Sequence, residues 1–220
     1  MLQPLIDSFR FFRNNLQNIA TLIFVFVLIS KIIELATTNL LPPSTSETSV
    51  ALLQVLLSFL LNAIFQCTFI LLLVKINKKQ KVILLQCFRE AMPFMPFYML
   101  GGSLVNIIVF IGLLVLLVFP GLYAYARLNF FDFAIVIRSE DPITAIKTSW
   151  RITTGSVIRI LLALMPLSVL MLIFVATFTL IDERTFITNT LGSLIFWTLG
   201  AFFVVLRYRL YIMLSSPKSS

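Results

Sequence analysis

The sequence predicts an all-α, polytopic membrane protein, and two observations support this fold class. Of the 220 residues 60% are apolar and only 12% are charged, with a mean hydropathy of +1.03. Soluble domains contain about 45–50% apolar residues. The apolar residues form runs close to the roughly 20 residues that a helix needs to cross a bilayer, and they lack the alternation of membrane β-barrel strands. We therefore expect one integral membrane domain over residues 1–220.

Six transmembrane helices are predicted, five of them from long apolar blocks bounded by charged or turn-forming residues. The sixth is weaker, because it follows a Phe-Pro-Gly turn at 119–121 and contains Arg127, Asn129 and Asp132. We count it as a short span. The first segment is longer than a signal-peptide core and lacks a small-residue cleavage site, so we expect it to be retained. The six predicted spans are residues 16–37, 51–74, 94–119, 121–137, 160–181 and 187–207.

The positions of the basic residues predict the orientation of these spans. With six spans, 14 of the 17 Lys and Arg residues fall on one side of the membrane, including Arg10, Lys147 and Arg207. The positive-inside rule then places both termini in the cytoplasm. With five spans, the last two segments would flip and most of this asymmetry would be lost. The net charge of +8 is therefore attributed to basic residues that face the anionic lipid headgroups of the cytoplasmic leaflet. No nucleic-acid partner is expected.

A short amphipathic helix is predicted between the fourth and fifth spans. Asp141 is a good N-cap, Pro142 suits the first helical position, and Gly155 can end the helix in the left-handed conformation. Such a helix would lie flat on the cytoplasmic surface, with Trp150 at headgroup depth. Helical spacing separates an apolar face from a polar one: Ile143, Ile146 and Trp150 against Thr144, Lys147, Thr148 and Arg151.

A tripeptide of one small residue, one aromatic residue and arginine precedes each predicted pair of spans. This pattern predicts three interfacial helices and a chain of three parallel units, approximately 1–78, 79–138 and 139–220, around a pseudo-threefold axis. The alternative is a chance match, because aromatic residues and arginine are both common at membrane interfaces. The predicted interfacial anchors within the tripeptides are Phe9, Arg10, Phe88, Arg89, Trp150 and Arg151.

One segment of about 37 residues, from Phe119 to Gly155, has a recognisable pattern. It combines a Pro-Gly turn, an aromatic-rich span with arginine, an acidic residue before proline, and Ser-Trp-Arg before glycine: Pro120, Gly121, Arg127, Glu140, Pro142, Ala145, Ser149, Trp150, Arg151 and Gly155. This segment resembles the bacterial YciC family of inner-membrane proteins; elsewhere the similarity is only topological. The resemblance implies a six-span protein of the bacterial cytoplasmic (inner) membrane with no established catalytic activity.

Polar residues inside the predicted spans are candidates for a polar core, because lipid offers them no hydrogen-bond partner. Gln54, Ser58, Asn62 and Gln66 follow one another at four-residue intervals and form one stripe of a helix. The stripe is either structural glue between helices or the wall of a polar cavity. We expect Arg127 to reach outward to headgroups or carbonyls, and Asp132 to face the bundle, ionised against a partner or protonated. The candidate polar core is Asn62, Gln66, Asn106, Arg127 and Asp132.

The sequence does not favour catalysis. It contains no histidine, and no Walker loop, Rossmann glycine pattern or nucleophile elbow is present. Helix capping explains the adjacent Glu140 and Asp141, with an active-site role as the alternative. Cys67 and Cys87 are expected to be free thiols. No catalytic residue, metal site or cofactor is therefore predicted.

Two functions remain open at this point. The first is a non-enzymatic component of the cell envelope, a scaffold or modulator of membrane components, with the phospholipid bilayer and other envelope membrane proteins as partners. The alternative is a small transporter or lipid-handling protein that uses a polar cavity between helices. A water-accessible pocket lined by the stripe, Asn106, Arg127 and Asp132 would favour the second function, whereas a closed bundle with every polar atom paired would favour the first.

Overall fold

The computed structural model describes residues 3–39, 47–115, 118–179 and 186–215, and the regular secondary structure in these ranges is helical. This confirms the all-α prediction for these ranges. Residues 116–117 of the third predicted span and 180–181 of the fifth, together with Arg184 and Lys218, lie outside them. The helices are α1 (Gln3–Asn14), α2 (Leu16–Asn39), α3 (Glu47–Asn77), α4 (Leu84–Ala91), a 3₁₀ turn (Met92–Phe94), α5 (Met95–Val115), α6 (Val118–Leu128), α7 (Phe131–Arg138), α8 (Pro142–Ile152), α9 (Val157–Thr179) and α10 (Phe186–Ser215).

Within the described residues, five helical segments are long and apolar enough to cross a membrane. Their large apolar side chains face outward, for example Phe110, Leu114 and Leu172, which are 62–68% exposed. An apolar exterior is the arrangement that a hydrocarbon environment stabilises. The chain is therefore a membrane-embedded helical protein. The five segments are Leu16–Thr37, Thr48–Asn77, Leu84–Leu114, Val157–Phe178 and Thr188–Ser215.

The weak predicted span at 121–137 is not one helix. It is divided into α6 and α7 by a break at Asn129 and Phe130. The predicted turn at Pro120 and Gly121 is also wrong, because both residues lie in the first turn of α6. Proline is tolerated there, since the N–H groups of a first helical turn have no partner within the helix.

Six helices form a ring in chain order, with α2, α3, α5, α6, α9 and α10 each packed against the next and α10 packed against α2. Helix α7 lies inside this ring at one end, in contact with α3, α5 and α8. Every residue from Phe131 to Val136 is buried. Apart from Asp132 these six residues are apolar, as expected of a helix in such a central position.

Helices α5 and α6 form an antiparallel pair that is closest at two glycines. A methyl group added at Gly112 would lie 3.0 Å from the Cα of Gly121, and one added at Gly121 would lie 2.7 Å from the backbone nitrogen of Leu113. Farther along α5, Gly101 faces Phe131 of α7. The segment formed by α6 and α7 therefore runs back along α5 to the end at which α5 begins.

The short helices α1, α4 and α8 pack at this same end of the bundle. Helix α1 contacts α10, with the rings of Phe12 and Phe202 5.8 Å apart. Helix α4 contacts the end of α3, where Lys75 and Glu90 form a 2.9 Å ion pair. Helix α8 packs against α7 and the start of α5.

Candidate functional site

In the part of the chain that the structure describes, polar contacts are concentrated at two places. The first is the break between α6 and α7. Backbone groups at a helix end lack intrahelical partners, and these are supplied here by other helices. The Ser149 hydroxyl of α8 donates to the carbonyl of Arg127 at 2.7 Å and accepts from the backbone N–H of Phe130 at 3.2 Å. The Arg207 guanidinium of α10 donates to the carbonyl of Asn129. The break is thus held from two sides by buried side chains.

A buried ion pair lies beside the break. Asp132, in the first turn of α7, is 1% exposed and accepts a 2.7 Å hydrogen bond from Arg207. The same carboxylate accepts from the backbone N–H of Phe133 at 3.0 Å. Its position at a helix N-terminus also favours the negative charge. The pair links α7, at the centre, to α10, in the ring.

Arg127 binds a backbone carbonyl, one of the two expected kinds of partner, but this carbonyl belongs to Trp150 of α8. Arg127 lies at the end of α6, donates to the carbonyl of Trp150 at 2.9 Å and to Thr154 Oγ1 at 2.8 Å, and has its guanidinium carbon 4.7 Å from the centre of the Trp150 ring. A guanidinium over an indole face is a favourable cation–π contact. Arg127 therefore fastens α6 to α8. We call Arg127, Asp132, Ser149 and Arg207 the break cluster.

The second polar feature is a cavity of about 740 Å³ between α2, α3 and α10, with one residue of α9 at its side. All four residues of the predicted stripe line it: Gln54, Ser58, Asn62 and Gln66. Cavities of roughly 300–1,000 Å³ are the size that proteins use for small ligands. The stripe therefore lines a cavity, and one of its members, Gln54, also joins two helices through a hydrogen bond to Thr37.

Charged and amide side chains form one end of this cavity, which we call the rim. Lys31 Nζ lies 2.8 Å from Glu34 Oε2, and Asn189 donates to Glu34 Oε1 at 2.8 Å. Gln54 donates to Thr37 Oγ1 at 3.1 Å. The rim thus joins α2 to both α3 and α10 through hydrogen bonds.

Aromatic side chains form the wall farther along the cavity. The ring centre of Phe65 lies 4.6 Å from that of Trp197 and 5.1 Å from that of Phe26, with both pairs in edge-to-face geometry. From Asn189 to Trp197 the wall advances eight residues along α10, about 12 Å at the helical rise of 1.5 Å per residue. The cavity therefore changes from charged to aromatic along its length.

The five residues of the predicted polar core occupy three different places. Asn62 and Gln66 line the cavity, whereas Arg127 and Asp132 belong to the break cluster. Asn106 is exposed on α5 and lines none of the described cavities. The structure therefore divides the predicted core into two sites and leaves one member outside both.

Several site residues were not identified from the sequence. The sequence indicates for Arg207 only a place among the basic residues of one membrane side, because its partner is 75 positions away and local spacing gives no sign of the pair. Ser149 belongs to a tripeptide and to the YciC-like pattern, and neither indicates its hydrogen bonds at the break. Lys31 and Glu34 have the three-residue spacing of a helical ion pair, and that spacing was the available signal for the rim.

The predicted interfacial anchors lie largely at the surface. Phe9 is 59% and Trp150 42% exposed, and Phe88 is half-buried. The three arginines beside them, Arg10, Arg89 and Arg151, are exposed. The small residue of each tripeptide faces inward instead, with Ser8, Cys87 and Ser149 all at 0% exposure.

The predicted faces of α8 require one correction. Its ends are those expected, since Asp141 caps it, Pro142 begins it and Gly155 has a φ of 75° just beyond it. Thr148, which was placed on the polar outer face, is 4% exposed, and Ile143 is 60% exposed. The helix buries its small residues against α7, because the central helix offers closer packing than the membrane surface does.

Replacing Asp141 by alanine is expected to loosen the start of α8. The hydroxyl and backbone N–H of Thr144, followed by the N–H of Ile143, hold the pKa of this carboxyl below its usual value. A lowered pKa stabilises the fold above the unfolded-state pKa of about 3.9, and this contribution is lost as the pH falls through the folded-state pKa. Hydrogen exchange of the two amides should be faster in Asp141→Ala at neutral pH.

Asp141→Asn is the matched control, because asparagine also caps helices but does not titrate in this range. The control should protect both amides about equally at pH 7 and pH 3. In the unsubstituted chain, by contrast, protection should decrease toward the lower pH. Equal protection in the alanine variant and the unsubstituted chain at neutral pH would contradict the capping role.

The fold and the two sites together define a polytopic helical membrane protein with a central broken helix and a lateral amphipathic cavity. The family model described as Domain of unknown function (DUF7847) matches residues 92–210, a little over half of the chain, and the chain belongs to this family. No curated protein and no solved structure matches it. The matched region contains the whole break cluster, whereas α2 and α3 precede it.

Proposed function

We propose that this chain is a non-enzymatic protein of the bacterial cytoplasmic membrane that binds an amphipathic lipid in the cavity between α2, α3 and α10. The observation that supports this most is the change from charged rim to aromatic wall within one cavity of about 740 Å³. A lipid has the same change from polar headgroup to hydrocarbon. The absence of catalysis is inferred from the sequence, which has no histidine to serve as a general base.

The cavity also has the length that a membrane lipid requires. The stripe from Gln54 to Gln66 covers 12 residues of α3, about 18 Å along the helix axis. Amide groups of the stripe can donate hydrogen bonds to ester carbonyls, while Phe65 and Trp197 provide apolar contact for an acyl chain. This pattern favours lipid handling over the scaffold role that was the first expectation from the sequence.

A scaffold or modulator role is the second proposal, and the exposed anchors favour it. Phe9 and Trp150 present large aromatic surfaces beside exposed arginines at one end of the bundle. Such residues bind phospholipid headgroups, and they can equally contact other envelope membrane proteins. This role does not exclude lipid binding, because the anchors and the cavity lie on different parts of the molecule.

We further propose that the chain crosses the membrane six times, with both termini in the cytoplasm. The antiparallel packing of α6 and α7 along α5 supports this, since it returns the chain to the end where α5 begins before α9 starts. The two helices and the break contain 21 residues, and about 20 residues of helix span a bilayer core. The positive-inside rule then assigns the end bearing α1, α4 and α8 to the cytoplasm.

Cysteine labelling tests this orientation. With Cys67 and Cys87 replaced by alanine, a cysteine at exposed Lys147 should react with a membrane-impermeant maleimide only after the cells are lysed. A cysteine at exposed Thr48, at the start of α3, is the matched control and should react in intact cells. Labelling of residue 147 in intact cells would reject both the sixth crossing and the proposed orientation.

The threefold repeat and the relation to the YciC family are also proposals. Each short helix packs against the last helices of the preceding unit: α4 against α3, α8 against α6 and α7, and α1 against α10. This cyclic pattern, and the buried small residue in each tripeptide, support three equivalent units. The segment with the YciC-like pattern contains α6, α7 and α8, whose contacts form most of the break cluster.

Fluorescence quenching tests lipid binding in the cavity. The chain has two tryptophans, so Trp150→Phe leaves Trp197 as the only emitter. Phospholipids brominated on one acyl chain, added to the protein in detergent micelles, should quench Trp197 saturably at about one lipid per protein. A tryptophan at exposed Leu172, in a chain lacking both natural tryptophans, reports general contact with lipid and should be quenched without saturation.

A cavity-filling variant provides the matching loss of binding. A methyl group added at Gly200 meets no atom within 4 Å, so Gly200→Leu is expected to fold and to occupy the cavity. Saturable quenching should then require at least tenfold more lipid. Thr198→Leu adds similar bulk to the same helix outside the cavity and is the control. Identical quenching of Trp197 and of the residue 172 reporter would reject the proposed function.

A further inference from the structure

Among the described residues, the lining of the cavity carries one cation and one anion. Lys31 and Glu34 are the charged residues among the described residues of its lining, and they pair directly at 2.8 Å. Lys31 has an 11% exposed side chain, whereas that of Glu34 is 45% exposed. A ligand headgroup at this rim therefore meets a mostly buried ammonium and an accessible carboxylate within one contact distance of each other.

The height of the rim matches the headgroup layer. On α10, 18 residues separate Asn189 at the rim from Arg207 in the break cluster, about 27 Å along the helix. The hydrocarbon core of a bilayer is about 30 Å thick. When the break cluster lies at one surface of this core, the rim lies at the other, where lipid headgroups are found.

The sign of the rim charges selects among headgroups. A purely anionic headgroup would gain the attraction of Lys31 but would approach Glu34 as a like charge, which is costly at partial burial. Lys31 and Glu34 are already paired with each other, and a headgroup that carries both charges adds a favourable contact to each: its phosphodiester oxygens accept from Lys31 and its ammonium donates to Glu34. Asn189, which already donates to Glu34, keeps that carboxylate directed at the rim.

The positions of the aromatic residues distinguish between a quaternary and a primary ammonium in the headgroup. A quaternary ammonium has no N–H and is usually held by aromatic faces. The aromatic pair Phe65 and Trp197 lies about 12 Å beyond Asn189, measured along α10. The groups at the rim are instead a carboxylate and amides, which accept hydrogen bonds. A primary ammonium, with three N–H donors, matches them better.

We propose that the cavity is selective for a zwitterionic phospholipid with a primary ammonium, that is, one with a phosphoethanolamine headgroup. The headgroup binds at Lys31 and Glu34, and one acyl chain extends along the cavity toward Phe65 and Trp197. This inference rests on the proposed function, because it requires that the cavity binds a lipid. It adds the chemical class of the headgroup and the two residues that recognise it.

Headgroup selectivity is measured with the Trp150→Phe chain and three brominated phospholipids that differ only in the headgroup: phosphoethanolamine, phosphoglycerol and phosphocholine. Half-maximal quenching of Trp197 should require about tenfold less of the first lipid than of the other two. Glu34→Gln removes the anion but keeps the shape of the side chain. In this variant, half-maximal quenching of Trp197 should require about tenfold more of the phosphoethanolamine lipid. It should require less of the phosphoglycerol lipid than in the Trp150→Phe chain.

Glu90→Gln is the matched control, because Glu90 also pairs with a lysine, Lys75, at 2.9 Å but lies at the opposite end of the bundle. This variant should leave all three quenching curves unchanged. Soluble glycerophosphoethanolamine at the concentration of the lipid should not relieve the quenching, because it lacks the acyl chain. Relief at equal concentration would assign the rim to the free headgroup and overturn the lipid proposal.

Two failures of this experiment have different meanings. Equal half-maximal amounts for the three lipids, or an unchanged preference in Glu34→Gln, would overturn the headgroup assignment and leave lipid binding intact. Absence of saturable quenching by any of the three lipids would reject the proposed function itself. Size-exclusion chromatography of each variant establishes that the comparison is made on folded protein.

Discussion

Asp132→Ala is expected to destabilise the fold by about 3–5 kcal/mol, the usual cost of removing one partner from a buried ion pair. The reason is that Arg207 would keep its charge in a site where its side chain is only 10% exposed and would have lost the carboxylate 2.7 Å away. Because α7 is central, we expect a loss of folded protein. Unfolding in mixed micelles, titrated with sodium dodecyl sulfate, measures the difference.

Two controls separate the buried charge from other effects of the substitution. Glu90→Ala removes the acid of a more exposed pair, that of Lys75 and Glu90, and should cost less than about 1 kcal/mol. The double variant Asp132→Leu with Arg207→Met removes both charges and should recover part of the loss, although the carbonyl of Asn129 loses its donor. A double variant less stable than Asp132→Ala would contradict this account of the ion pair.

Ser149→Ala is expected to cost about 2–5 kcal/mol, because one hydroxyl satisfies two backbone groups at the break. Its removal leaves the carbonyl of Arg127 and the N–H of Phe130 without this partner in a site that water does not reach. Each buried unsatisfied group costs about 1–3 kcal/mol. Thr153 Oγ1, 3.4 Å from the same carbonyl, offers weak compensation. The same denaturant titration measures the change.

Thr177→Ala is the matched control for this substitution. The Thr177 hydroxyl is exposed and donates only to the carbonyl of Ile173 one turn earlier in its own helix, at 2.8 Å. Its loss should change stability by less than about 0.5 kcal/mol. If Ser149→Ala were equally mild, the break would have to be held by Arg207 and not by the serine.

The sequence predicted those parts of the structure that depend on local chemistry. The cap at Asp141, the left-handed Gly155 and the free thiols at Cys67 and Cys87 are as expected. Hydropathy located the long helices because a bilayer requires a minimum apolar length. The four-residue spacing of polar side chains in α3 also predicted that they share one face, and they do so in the cavity wall.

The features missed depend on contacts between distant parts of the chain. The break at Asn129 and Phe130 is stable because Ser149 and Arg207 replace the missing helical hydrogen bonds, and both lie on other helices. Asn106 was grouped with the polar core by its depth in a predicted span, but hydropathy does not give the rotation of a helix, and this residue faces outward. The spacing of residues along one helix thus predicts which of them share a face, but not which other helix contacts that face.

The central position of α7 limits how far the cavity extends through the molecule. No residue of α7 or α8 lines the described cavity, and the buried rings and aliphatic side chains of α7 fill the axis of the bundle at that end. The cavity therefore does not extend to the break cluster, none of whose residues lines it. Because the Asp132–Arg207 pair and the Ser149 hydrogen bonds fix α7, the contacts that hold the break also keep this end of the bundle packed.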